Sequence, residues 1–137
     1  MRFSGAILAV VLGATAMAFV SYAIADECSN ADSQAKLNEC YGNAFKKTDS
    51  ELNKLYKEIE RRLSDDPDTK KSLVVAQRAW VAFRDAECNL QASGGGSAAG
   101  MTYPICLSRL TENRIQDFKN YLKCEEGDTS CPIPPAN

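Results

Sequence analysis

The sequence predicts an all-α fold: a disulfide-stapled antiparallel helical hairpin with a third helix packed on it. Apolar residues recur at spacings of three and four in three segments, which is the period of an amphipathic helix. Turn-forming residues separate these segments, and no stretch alternates polar and apolar residues as a strand would. Six cysteines in 137 residues complete the pattern of one small domain held by disulfides.

Residues 1–25 are expected to be a signal peptide that is removed. Arg2 precedes a run of apolar or small residues over 6–20, and Ala23 and Ala25 form a small-x-small cleavage site. The alternative is an uncleaved anchor, because the whole segment is nearly long enough to span a bilayer. The cleavage site and the lack of a basic flank favour removal, so we predict a periplasmic or secreted protein without membrane attachment.

The first helix is predicted over about residues 32–63. Asp32 or Ser33 can serve as its N-cap, because a short polar side chain there accepts a hydrogen bond from a free backbone N–H. A polar turn follows, and Pro67 suits the first position of the next helix. The apolar or small residues that share one face are Leu37, Cys40, Tyr41, Ala44, Leu52, Leu55, Tyr56, Ile59 and Leu63.

The second helix is predicted over about residues 67–90. Its spacing places Trp80 in the core, together with Leu73 and Phe83, and not at the surface as an exposed binding anchor. Eight residues fall within one broad inward sector of this helix: Leu73, Ala76, Gln77, Trp80, Phe83, Arg84, Glu87 and Cys88.

A glycine-rich loop is predicted over residues 93–100, because glycine at this density does not continue a helix. The third helix should then run over about residues 104–122. The mature chain divides into a helical domain, 26–123, and an irregular tail, 124–137, which contains three prolines.

The cysteines are predicted to pair as Cys40–Cys88, Cys28–Cys106 and Cys124–Cys131. If the first two helices fold back near Asp65, Cys40 and Cys88 lie at nearly the same level, because they are about equally far from the turn. The other two cysteines of that end would then pair, and the tail would close on itself. Six cysteines permit 15 pairings, so this prediction rests on level alone.

Composition excludes several kinds of function. The chain has no histidine, so Ser-His-Asp and Cys-His catalysis and His-ligated zinc are excluded. No C-x-x-C pair is present, the carboxylate pairs lie in turns or the tail, and no phosphate-binding motif follows the glycines. The net charge of −2 argues against nucleic acid. We expect no enzyme, no metal and no cofactor.

Polar residues on the inward faces suggest a buried network of Gln77, Trp80, Arg84, Glu87 and Arg114. An isolated buried charge is costly, so each arginine needs a partner, with Asp49, Glu51 and Glu87 as the candidates. Two interpretations remain open. The network locks the register of the helices, which we favour because such networks more often specify packing, or it forms a cleft for an anion or peptide.

A series of motifs follows in order along the chain: Cys28 with Cys40, Asp49 before Leu52-Asn53 and Tyr56, Gln77-Arg78-Ala79-Trp80, Arg84-Asp85 with Cys88, a Gly-Gly-Ser loop, Cys106, and Thr111 with Arg114. This series resembles the LprI-type lysozyme-inhibitor N-terminal domain, a bacterial family of exported helical domains. The resemblance covers about residues 28–122, whereas Cys124 and Cys131 lie beyond its core pattern, and the lipidated cysteine of the member that names the family is absent.

The resemblance implies an exported binding protein that occludes the substrate cleft of lysozyme without chemistry. The alternative is a periplasmic protein-interaction or structural module with no lysozyme activity, whose partner is another protein. A loop on a rigid scaffold often binds, although this one can equally be a simple connection. The residues of this segment that would meet a partner are Gly95, Gly96, Ser97, Met101 and Tyr103. The competing surface is the outer face of the first helix, which carries Lys46, Lys47 and Lys54.

Overall fold

A computed structural model describes residues 28–135 and contains three α-helices. They are α1 (Gln34–Arg62), α2 (Pro67–Ala92) and α3 (Ala99–Tyr121), and a 3-10 turn over Gly96–Ala98 precedes α3. No strand occurs within residues 28–135. The all-α fold is confirmed, whereas the signal peptide predicted over residues 1–25 lies outside the described residues.

The first helix begins at one of its two predicted N-caps, and the second begins at Pro67 as predicted. The Ser33 hydroxyl accepts a hydrogen bond from the Lys36 backbone N–H at 3.3 Å. The Asp66 carboxylate accepts one from the Thr69 backbone N–H at 3.0 Å, and Pro67 is the first residue of α2. This bond from Thr69 favours the ionised carboxylate, so it lowers the pKa of Asp66.

The third helix begins five residues earlier than the predicted Pro104. The chain reverses through a short turn in which Gly95 donates to the Ala92 carbonyl and Gly96 adopts a φ of 50°, which glycine tolerates without strain. Alanines follow at once, and their helix propensity allows α3 to start at Ala99. The predicted loop is therefore a tight connection over residues 93–98, and Pro104 lies inside the helix.

Helix α3 packs against both other helices, which lie antiparallel around the turn at residues 63–66. At one end of α3, a Cβ on Gly100 would lie 2.6 Å from the side-chain amide of Asn38 on α1, so a larger residue at this position would require that side chain to move. At the other end, Arg62 of α1 donates from Nη1 to the Leu122 carbonyl at 3.0 Å. Hence α3 runs parallel to α1, and the hairpin with a packed third helix is confirmed.

The apolar core lies in the half of the bundle nearest the 63–66 turn. All three helices contribute to it, and so does Ile133 of the tail, which is buried although the tail is irregular. Burying an apolar side chain of this size stabilises the fold by about 1.5–3 kcal/mol. The buried residues of this core are Leu52, Ile59, Leu63, Leu73, Ile115, Phe118 and Ile133.

The opposite half of the bundle is held by disulfides, and their pairing corrects the prediction. The bonds are Cys28–Cys40, Cys88–Cys106 and Cys124–Cys131. The predicted Cys40–Cys88 and Cys28–Cys106 bonds are wrong, whereas the predicted tail bond agrees. The four cysteines do share one end of the bundle, so their level cannot select partners. Rotation about each helix axis decides the pairing: Cys88 faces α3, and Cys40 faces the turn that leads into α1.

Trypsin cleavage without reduction tests this pairing. Residues 85–109 contain both Cys88 and Cys106 and no internal Lys or Arg, so they should be released as one peptide, two hydrogens lighter than its reduced form. The tryptic fragment that contains Cys28 and ends at Lys36 should be released joined to residues 37–46 through Cys28 and Cys40. Mass spectrometry that finds residues 37–46 attached to residues 85–109 would contradict the structure.

Two carboxyl groups lie in opposite electrostatic environments. Glu58 on α1 accepts hydrogen bonds from Arg61 and Arg62, and these lower its pKa to about 2. Glu112 on α3 is partly buried close to Glu51 of α1, and both desolvation and this like charge raise its pKa above the ordinary value of 4.5. Ionised Glu58 therefore stabilises the fold, whereas ionised Glu112 destabilises it.

The variants Glu58→Gln and Glu112→Gln should change stability in opposite directions. At neutral pH, Glu112→Gln should raise the melting temperature because it removes a charge whose pKa is raised on folding, and its advantage should disappear as pH falls below about 4. Glu58→Gln should lower the melting temperature at neutral pH, and this loss should shrink as pH falls from about 4 towards 2. Thermal unfolding of both variants across this range provides the measurement, and shifts of the same sign would show that one environment is misassigned.

Candidate functional site

Arg84 of α2 is buried and connects all three helices. Its Nη1 donates to Asp49 Oδ1 of α1 at 3.1 Å and to Thr111 Oγ1 of α3 at 3.3 Å. Its Nε donates to Asp85 Oδ1 at 2.9 Å. The guanidinium therefore gains the charged partner that burial demands, and each of its contacts depends on the relative position of the helices.

Trp80 lies between two guanidinium groups. Arg84 lies 5.1 Å from the centre of the Trp80 ring and 5.3 Å from that of Phe45, while Arg114 lies 5.9 Å from Trp80 and 4.6 Å from Phe118. These separations are within the range of cation–π attraction. Trp80 is partly buried and packs against the apolar core, so it links the core to the polar network.

The structure brings together four of the five residues of the expected network. Arg114 Nε donates to Gln77 Oε1 at 3.2 Å, and its Nη1 lies 3.4 Å from Asp117. Glu87 is separate, because it accepts a hydrogen bond from Gln91 of its own helix at 2.7 Å. Of the expected acidic partners only Asp49 reaches an arginine of the network.

This geometry favours a packing role for the network over an anion-binding cleft. Arg84 already contacts two carboxylates and a hydroxyl, and Arg114 contacts an amide and a carboxylate. An incoming anion would have to displace the carboxylates that already pair with these two guanidinium groups. Asp85 and Thr111 were absent from the predicted network, and the Arg84-Asp85 and Thr111 positions in the family motif were the signal that pointed to them.

Two residues assigned to the inward sector of α2 lie outside. Ala76 and Phe83 are exposed, and Phe83 retains 57% of its accessible surface. The predicted inward sector of eight residues is broader than the strip of α2 that the rest of the bundle covers. The inward strip is narrower and runs through Leu73, Gln77, Trp80, Arg84 and Cys88.

The connection between α2 and α3, residues 93–98, is called the tip here. Gly96 and Ser97 are exposed at the tip, and Gly95 is half-buried. Met101 and Tyr103 lie in the first turns of α3 and are also half-buried, with Tyr103 packed against the Cys88–Cys106 cluster. The five predicted contact residues thus share one end of the bundle, but only Gly96 and Ser97 project from it.

Two disulfides brace this end of the bundle. Cys88–Cys106 joins the helices that carry the tip, and Cys28–Cys40 ties down the turn before α1. At this end Gly100 of α3 lies close to the Asn38 side chain of α1. No charged residue occurs between residues 92 and 103, so the tip is electrically neutral. The two disulfides give it rigid support.

Comparison with known proteins identifies the family. The family model described as Lysozyme inhibitor LprI matches residues 25–118. The chain belongs to this family. Uncharacterized protein R02472 of Rhizobium meliloti (strain 1021) is 32% identical over 139 aligned positions, which cover 92% of this chain and 99% of that protein. No solved structure matches the chain.

The LprI family match contains the whole network, the tip and the four cysteines that brace it. It ends before the Cys124–Cys131 bond, as the sequence resemblance also does. Across residues 28–135, no helix is long and apolar enough to cross a membrane. Within the same residues, no group of three or more Cys, Asp or Glu side chains is arranged to hold a metal ion.

Replacement of Arg84 tests its role in the network. Arg84→Met should lower the free energy of unfolding by about 2–3 kcal/mol, because it removes the hydrogen bonds that join α2 to α1 and α3. The loss should stay below that of a fully buried pair, since Asp49 and Asp85 retain 37% and 44% of their side-chain exposure and can be hydrated.

Arg109→Met is the matched control, because Arg109 is an exposed arginine on α3. Its effect should stay within about 0.5 kcal/mol. Urea denaturation of both variants measures the difference, and equal midpoints would show that Arg84 does not hold the helices together.

Proposed function

We propose that this protein is exported and inhibits lysozyme by inserting its tip into the substrate cleft, without chemistry. Membership of the family described as Lysozyme inhibitor LprI supports the partner. Three disulfides support an oxidising compartment, in which such bonds form and persist. The signal peptide expected over residues 1–25 would take the chain there.

The observation that carries the proposal is the bracing of the tip by two disulfides. A flexible loop loses conformational entropy when it binds, whereas a loop already fixed in its bound shape avoids most of that cost. The Cys88–Cys106 bond fixes both helices that lead to the tip, and Cys28–Cys40 supports the same end from α1. This is the arrangement expected of a rigid inhibitory element.

The chemistry of the tip suits an acidic cleft. Glycoside hydrolases such as lysozyme use a pair of carboxyl groups at the scissile bond. The tip has no carboxylate to repel them, and Ser97 offers an exposed hydroxyl donor. Small residues at the centre of the tip keep it narrow, while Met101 and Tyr103 at its base provide apolar and aromatic contact with the rim of the cleft.

A bulky substitution at the tip tests this mode of inhibition. Ser97→Trp should weaken inhibition by at least about tenfold, a loss of about 1.4 kcal/mol, because the indole would widen the inserted segment. Ser64→Trp is the matched control, since Ser64 is also an exposed serine in a turn between helices but lies at the opposite end of the bundle. The measurement is the rate of cell-wall lysis by several lysozyme classes as each protein is titrated, with melting temperatures recorded alongside.

The competing surface is the lysine-bearing face of α1. Lys46 and Lys54 line a shallow groove there with Phe45 and Asp49. If Lys46→Glu with Lys54→Glu abolishes inhibition while Ser97→Trp retains it, the tip is not the inhibitory element. If the parent protein slows none of the lysozymes, the inhibitory proposal fails and the protein-interaction module remains.

A further inference from the structure

The outer face of α2 is apolar and has no partner within the described chain. Val75, Phe83 and Leu90 retain 61%, 57% and 69% of their accessible surface. At 100° per residue, they fall within a sector of about 100° that also contains exposed alanines and no charged residue between positions 72 and 93. This surface, called the outer stripe here, consists of Ser72, Val75, Ala79, Ala82, Phe83, Ala86, Leu90 and Ser93.

The order of residues along the outer stripe is symmetric about the midpoint between positions 82 and 83. Ala82 and Phe83 flank that point directly, and every other member has a mate of similar chemistry at the same distance on the opposite side. These mates are Ala79 with Ala86, Val75 with Leu90, and Ser72 with Ser93.

This symmetry is what an antiparallel two-fold contact requires. In such an isologous interface, each residue of one copy meets the residue of the other copy that is equally distant from the axis. A second α2, placed antiparallel across an axis at the midpoint, would bring Val75 against Leu90 and Ala79 against Ala86. The alanines would let the helix axes approach closely, while the Phe83 rings would cover the centre on both copies.

The charges beside the outer stripe are complementary in this arrangement. Arg78 and Asp85 lie on the same flank of the stripe, on opposite sides of its midpoint. In an antiparallel pair, residues on the same flank of the two helices face each other. Arg78 of each copy therefore approaches Asp85 of the other, which gives two equivalent contacts in the dimer. In a parallel pair the same flank of the two copies lies on opposite sides of the contact, so Arg78 and Asp85 would not meet.

We propose that the outer stripe of α2 is an interface between two copies of this chain, packed antiparallel about an axis at positions 82–83. The stripe is about 32 Å long at 1.5 Å per residue, and its strongly apolar part, from Val75 to Leu90, is about 22 Å long. A contact between single helix faces of this length buries less area than a standard protein interface. The dissociation constant of the dimer should therefore be micromolar or weaker. The two tips would project from opposite ends, which leaves them exposed.

Sedimentation equilibrium of the mature, oxidised protein tests the association. The weight-average mass should rise from one copy towards two as concentration increases. Phe83→Glu should weaken association by at least about tenfold, because it places two carboxylates at the centre of an apolar contact. It should not unfold the protein, since Phe83 is exposed. Gln116→Glu, an exposed substitution on α3, is the control and should leave association unchanged.

Engineered cysteines test the geometry. Under mild oxidation, Ala82→Cys alone should give a cross-linked dimer, because this position lies beside the axis. Val75→Cys and Leu90→Cys should each form no covalent dimer alone, and the two variants should cross-link to each other when mixed. Mass that stays at one copy at all concentrations overturns the proposal, and so does efficient self-linkage of Val75→Cys, which indicates parallel pairing. Both assays are independent of lysozyme inhibition, so failure of either proposal leaves the other testable.

Discussion

The buried guanidinium of Arg84 is the constraint on which the arrangement of the three helices depends. Apolar packing tolerates small sliding and rotation of helices, whereas a buried charge with directed hydrogen bonds does not. Because Arg84 reaches Asp49 on α1 and Thr111 on α3 at once, a shift of either helix leaves a polar atom without its partner. We propose that the network thereby fixes the register of the three helices.

The two halves of the bundle are stabilised by different means. The half near the 63–66 turn contains most of the apolar core and receives Ile133 from the tail. The other half has a smaller apolar cluster around Cys88, Cys106 and Leu107, and it is closed by two disulfides. A domain of this size buries a limited core, so covalent links supply what packing cannot. The Arg84 network lies between the two halves and connects them.

Local signals in the sequence predicted the helices well. Features that depend on how each helix is rotated about its own axis were predicted less well. Ser33 and Pro67 indicated the starts of α1 and α2, since the start of a helix is decided by a few neighbouring residues. The start of α3 was misplaced because a single left-handed glycine, Gly96, can complete a turn that the glycine density suggested was a long loop. The disulfide partners and the exposure of Phe83 depend on which way each helix face points once α3 is in place. Residue spacing alone does not contain that information.

Helix α2 carries different kinds of surface on its two faces. Its inward strip carries Trp80 and Arg84, which contact the other helices, and its outer stripe carries apolar residues that remain largely exposed. A solvent-exposed phenylalanine and leucine on one helix face are unfavourable for a protein that acts alone, because large exposed apolar patches promote association. The tip lies at the end of the same helix and is displaced along its axis from the centre of the outer stripe. A copy docked on the stripe would cover Ser93, where the stripe meets the tip, and leave residues 94–98 open, so self-association and the binding of lysozyme would share at most that one residue.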